Sequence, residues 1–185
     1  MSNEIKSKVI GQLKQDKYNP TWWIGKKVKI PFFEDEKLTI TFIDYTPEED
    51  KSFVEEADKA LMNFLELTEK DKFTISELVY KNYTDFLEMV GEDADEFRLE
   101  INENNEIWDF VYPSEIYVSR RDRRDKDIYV QIACECDWEE EHGLQLMFRQ
   151  GRKLTRVSDQ DGHLTEADAY DKPDSEDELL SQFDK

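Results

Sequence analysis

Two cysteines and two histidines are the scarcest reactive side chains in this 185-residue sequence. All four fall in its last third, as Cys134, Cys136, His142 and His163. Sulfur and imidazole nitrogen are the donors a tetrahedral zinc site wants. The spacing argues for another reading. Cys134 and Cys136 share the parity of Val130 and Ile132, so in a strand all four point to one buried face, where a free Cys packs as a small hydrophobe. Neighbours on one face of a strand make a poor disulfide, and a reducing compartment is the simpler assumption.

Glu139, Glu140, Glu141 and His142 crowd just before Gly143. Carboxylates beside an imidazole can bind a metal or act as a general base. A metal-dependent hydrolase or nuclease would draw on Glu139, Glu141, His142 and His163. No nucleophile or oxyanion donor set accompanies them, and a charged turn at a hairpin tip accounts for the same residues. Asp159-Gln160-Asp161-Gly162-His163 imitates a calcium loop, but Leu164 and Tyr170 stand where an EF-hand needs Gly and Glu. A hairpin or an Asx turn is the better reading. Arg120, Arg121, Arg123, Arg124 and Lys126 form a basic cluster interrupted by three Asp, which predicts internal pairing. There is no Gly-x-Ser-x-Gly elbow and no phosphate-binding glycine loop. No catalytic site and no cofactor is expected.

The elements that position these residues follow from periodicity. Ile5, Val9 and Leu13 fall at helical spacing over 4–14. Residues 26–33 and 37–44 alternate around Glu34-Asp35-Glu36 and predict a hairpin, with Pro31 marking an edge strand. Thr46-Pro47-Glu48-Glu49 reads as a capped helix start, giving a helix over about 47–67. A second helix is predicted over about 74–90, ended by Gly91. Short strands are expected at 97–101 and 115–119, then a strong one at 128–138 with one buried face, then 144–148 and 153–157. Trp22 and Trp23 are adjacent, so only one can face a core in a strand. The predicted fold is α+β: an antiparallel sheet of about six or seven strands with the two helices packed on one face. Residues 1–168 form one domain in this reading. Residues 169–185 form an acidic, mobile tail in which Leu179, Leu180 and Phe183 could make a short docking helix.

Charge bounds the partner. The net charge is −20, unevenly spread. Residues 1–33 carry seven Lys against Glu4 and Asp16, a balance of +5, whereas residues 34–115 stand at −18. Such a chain repels nucleic-acid phosphate, so sequence-independent binding to DNA or RNA is not expected. It attracts a basic protein. No apolar run is long enough to span a bilayer and the start, Met1-Ser2-Asn3-Glu4, lacks a secretory core, so a cytoplasmic location is expected.

The run Cys134-Glu135-Cys136-Asp137-Trp138-Glu139, continued by Glu141-His142-Gly143-Leu144 and by Asp161-Gly162-His163-Leu164-Thr165, resembles an uncharacterised bacterial domain family. The resemblance covers roughly residues 107–170. Small acidic α+β proteins of this style are often immunity proteins that neutralise a toxin, or accessory proteins of bacterial defence. That style implies a binding protein for a basic protein partner. The expected contact residues are Glu48, Glu49, Glu55 and Glu56, then Glu92, Asp93, Asp95 and Glu96, and the tip residues Trp138, Glu139, Glu140, Glu141 and His142.

Overall fold

The computed structural model describes residues 4–182. Met1–Asn3 and Phe183 therefore lie outside the described residues. Alternating apolar and polar residues build one sheet whose eight strands follow chain order. They are β1 (Glu4–Ser7), β2 (Gly11–Gln15), β3 (Trp23–Ile30), β4 (Glu36–Phe42), β5 (Val111–Arg120), β6 (Ile128–Cys136), β7 (Leu144–Arg149) and β8 (Lys153–Ser158). Between β4 and β5 the chain forms α1 (Phe53–Leu65), α2 (Glu69–Thr74) and α3 (Ser76–Val90). The short helices α4 (Glu166–Ala169) and α5 (Glu178–Ser181) follow β8. The α+β class is as expected, with more strands and more helices than predicted.

Several local expectations are corrected. The helix expected over 4–14 is the β1–β2 hairpin. Ile5 and Leu13 sit directly opposite each other, so the same apolar residues satisfy the period of two. The Ser7 hydroxyl accepts the N–H groups of Val9 and Ile10 and turns the chain there. Asp58 of α1 then pins the turn, accepting from Lys8 N–H at 2.8 Å and from the Ser7 hydroxyl. Pro31 is not on an edge strand: β3 lies between β2 and β4, and Pro31 opens a 3-10 turn just past it. α1 starts at Phe53, because the Glu49 and Asp50 N–H groups close a turn on the Thr46 carbonyl instead of starting a helix. The second predicted helix forms as α3, and an unpredicted helix, α2, precedes it, where Thr68 and Asp71 form a capping box that starts α2 at Glu69. Gly91 ends α3 as expected, with φ of 63°. No strand forms at 97–101; that stretch links the 3-10 turns Gly91–Phe97 and Asn104–Phe110.

The sheet is not wholly antiparallel. β4 and β5 pair in parallel, Ile40 opposite Ile116 and Phe42 opposite Val118. Parallel neighbours need a long crossover, and α1 to α3 supply it. The crossover lays α1 on β5 and β6 and buries Phe53, Ala57, Leu61 and Phe64. These meet Leu38, Ile40, Ile116, Val130, Ile132 and Leu146 in the main core. The β7–β8 turn tucks tightly under α1. A Cβ on Gly151 would lie 1.9 Å from the Ala60 carbonyl oxygen, and its φ is +66°. Trp23 is the inward member of the tryptophan pair, with its indole N–H on the Tyr45 carbonyl at 3.0 Å. Trp22 is half-buried against Tyr117 on the opposite face.

The strand expected over 128–138 with one buried face ends at Cys136 and buries part of its second face as well. Tyr129 and Ala133, opposite in parity to Val130 and Ile132, are also buried. The chain after β8 folds back over them. Arg156 donates to the Thr165 carbonyl at 3.0 Å, Thr155 to the Leu164 carbonyl at 3.0 Å, and Gln145 to the Asp161 carboxylate at 2.9 Å. The acidic stretch from residue 169 continues this cover. Asp174 takes two hydrogen bonds from Arg121, and the fully buried Asp177 accepts from Ala167 N–H and Leu180 N–H. No helix among the described residues is long and apolar enough to cross a membrane.

Candidate functional site

The expected contact residues do not form one surface. Trp138 is fully buried, with its indole N–H on Asn82 of α3 at 3.1 Å and its ring against Tyr83. It anchors the base of the β6–β7 hairpin and is not a surface contact. Glu139 is half-buried and shapes the tip, accepting from the N–H groups of Glu141 at 3.1 Å and His142 at 3.2 Å. Glu140, Glu141 and His142 are exposed at the tip. Glu92, Asp93, Asp95 and Glu96 are exposed on the 3-10 turn that follows α3. Glu48 lines a separate cleft with Ile5 and Trp23, Glu49 is exposed beside it, Glu55 pairs with Lys59 at 3.0 Å, and Glu56 is engaged by Arg120 at 2.8 Å.

The tip does open onto a groove. One cleft of about 420 Å³ lies between α3 and the hairpin tip, floored by Trp138 and Gly143. A second of about 620 Å³ continues it between α3, β8 and the chain from Glu166 to Leu179. The two share Asn82, Asp85, Asp159 and Tyr170. Asp85, Glu139, Asp159, Glu166, Glu176 and Glu178 line the groove, against Lys81, Arg156 and Lys172. Two of those bases are already matched: Lys81 to Asp85, and Arg156 to Asp161 at 2.5 Å. The hydrogen bond with Asp85 raises the Lys81 pKa. Met89 and Tyr170 stand on the rim, each 71% exposed. Sequence reasoning missed this wall of the groove. Its one visible signal was Tyr170, a lone aromatic amid acids.

The wall is held by a charged clasp. Arg121, 2% exposed, donates to Asp168 at 2.7 and 2.9 Å, to Asp174 at 2.8 and 3.0 Å, and to Asp125 at 2.7 Å. Arg124 adds a bond to Asp174. Arg120 meanwhile ties Asp50 and Glu56 ahead of and within α1. Arg120, Arg121 and Arg124 of the basic cluster therefore work internally, and of the interleaved Asp residues Asp125 takes part. Burial raises the Asp174 carboxyl pKa, but the hydrogen bonds and charges of Arg121 and Arg124 outweigh this and hold it below its ordinary value. A depressed folded-state pKa gives stability that is present above the unfolded value and lost as pH falls through the folded one. The clasp should therefore hold above about pH 4 and loosen progressively in stronger acid. Amide exchange over residues 166–182, followed against pH, should accelerate below that point before β6 exchanges; uniform exchange would contradict it.

The four residues of a possible metal centre do not assemble. His163 is exposed, and its backbone N–H closes an Asx turn on Asp161 at 2.9 Å. Among the described residues, no group of three or more His, Cys, Asp and Glu is placed to hold a metal ion. Cys134 and Cys136 are both buried in the core, and burial pushes both thiols up, Cys136 to about 12. The thiolate is the reactive form. Neither thiol should react with iodoacetamide in the native protein, whereas both should react after unfolding; labelling of either in the folded protein would contradict its burial.

A search of curated proteins and of solved structures found no match. One family model, described as a domain of unknown function, DUF6985, matches residues 9–164. That span runs from the β1–β2 turn to the edge of the covering segment and includes the tip, the groove floor and Arg121 and Arg124 of the clasp, but not Asp168 and Asp174. This chain belongs to the DUF6985 family.

Proposed function

We propose that this protein is a binding protein whose acidic groove receives a basic segment of a protein partner, in the manner of an immunity or inhibitor protein of bacterial defence. The observation that carries this reading is the continuous groove along α3, in which acids outnumber bases and two apolar side chains stand exposed at the rim. A surface of one sign steers an oppositely charged partner and speeds encounter. Exposed Tyr170 and Met89 supply the anchors such a surface needs, since large flexible or aromatic side chains carry most binding energy.

A fluorescent Lys- and Arg-rich peptide containing one Trp, titrated into the full chain, tests the reading. Binding should weaken steeply with salt. Tyr170→Ala should weaken it about fivefold or more, as for an anchor worth over 1 kcal/mol, and Glu176→Gln with Glu178→Gln should flatten the salt dependence. Binding indifferent to all three substitutions would overturn the assignment of the groove, and no binding at low salt would overturn the proposal.

A further inference from the structure

The sheet has a second face, and its charge runs opposite to that of the molecule. Directly opposed residues trace one row across it, from Lys14 in β2 through Ile24, Thr41 and Tyr117 to Met147 and Arg156 in β8. Over β6–β8 this face is closed. There the chain lays an acidic segment of its own on arginines: Asp161 on Arg156, with Asp168 and Asp174 on Arg121 just past β5. Over β1–β4 the face is lysine-rich and open except around the buried Thr41. Lys6, Lys14, Lys27, Lys29 and Lys37 all occupy it and all are exposed.

Two details make this half unusual. Lys29 and Lys37 are directly opposed across the β3–β4 ladder, and like charges so placed destabilise a sheet. Nearby acids answer only part of the charge. Asp35 reaches Lys29 at 3.2 Å, Glu4 stands directly opposite Lys14 and accepts from Gln12, and the Glu115 carboxylate takes the Tyr117 hydroxyl. Ile24 is 39% exposed among the lysines and offers an apolar contact.

We propose that the open lysine half of the sheet docks an acidic polypeptide segment, chemically alike to the one the chain itself lays over the arginine half. The charges are complementary, and the covered half shows how the fold meets such a segment, with carboxylates and backbone carbonyls turned to basic side chains. The scale fits as well. Four strands span about 14 Å, and Lys27 and Lys29 stand about 7 Å apart along β3, which suits a short extended peptide. A long nucleic-acid strand would run off this patch onto a molecule of net charge −20, where its phosphates are repelled. It would also lack an open stacking platform, since Trp22 is half-buried against Tyr117 at 5.6 Å. This surface is separate from the acidic groove, and the proposal stands whether or not the groove binds a basic partner.

The probe is a fluorescein-labelled synthetic peptide with the sequence of residues 166–178, titrated into the full chain at low and high salt. An oligothymidine of similar length is the second probe. The peptide should bind in a salt-sensitive way, and Lys27→Glu, Lys29→Glu and Lys37→Glu together should weaken it at least about tenfold, the equivalent of losing about 1.4 kcal/mol. Lys37→Glu alone places an opposite charge across from Lys29, keeps the sheet intact, and should still weaken binding. Peptide that fails to bind, or binds the variants equally well, overturns the proposal. Preference for the oligothymidine also overturns it and makes this a nucleic-acid face.

Discussion

Replacing Arg121 by Met should lower the free energy of unfolding by about 3 kcal/mol, the lower end of the range for breaking a buried ion pair from one side. The guanidinium is almost wholly buried and holds Asp125, Asp168 and Asp174. Without it, three carboxylates remain close together. Repulsion and desolvation then oppose the fold, and Arg124 beside Asp174 and Arg149 beside Asp125 offset them only in part. The lower end applies because the Asp174 side chain is 35% exposed and Asp168 is 22% exposed, so solvent screens part of the loss. Urea denaturation should show a lower midpoint, and exchange should rise first over 166–182. A double-mutant cycle with Asp168→Asn should show coupling, because the two side chains share hydrogen bonds. A loss below about 1 kcal/mol would place the clasp with screened surface pairs.

Trp138→Ala should cost about 4 kcal/mol, within the range for truncating a buried aromatic to Ala. Its indole is fully buried, packs edge-on against Tyr83 and donates to Asn82. The truncation would leave a cavity under the hairpin and take the indole donor from the Asn82 side-chain amide oxygen. Trp138→Phe keeps most of the apolar volume and should lose only about 1–2 kcal/mol, for the hydrogen bond and the remaining space. Because Trp138 floors the groove, the Ala variant should also bind the basic peptide more weakly at temperatures where it is still folded. Equal stability of the Ala variant and the wild type would mean that the hairpin does not depend on α3 for its position.

Some of this was legible in the residues. The alternation of 128–138, the β3–β4 hairpin and the stop at Gly91 all depend on local chemistry, and all three formed. The Asx turn at Asp161 and the Arg121–Asp125 pair were likewise local, whereas Arg120 and Arg124 found their acids far along the chain, at Asp50, Glu56 and Asp174. Other outcomes needed distant partners. Ile5, Val9 and Leu13 fit both a helix and a hairpin, and the choice fell to Asp58, half a hundred residues away, which fixes the turn between them. Parallel pairing of β4 with β5 follows from where α1 lands, which no window of a dozen residues contains.

The same division governs the candidate site. Sequence by itself determined the α+β class, the charged tip at Glu139–His142, the burial of both cysteines and the excess of acid over base. Only the tertiary structure decided that Trp138 is an anchor in the interior, that Glu56 is engaged by Arg120, and that Asp85, Tyr170 and Glu178 share one groove. The physical reason is range. Periodicity and turn chemistry act over a few residues, whereas a charge or an aromatic ring becomes core, clasp or surface according to which distant segment folds back over it. Here that segment is the acidic chain after β8, which reaches the arginines by closing over a polar sheet face.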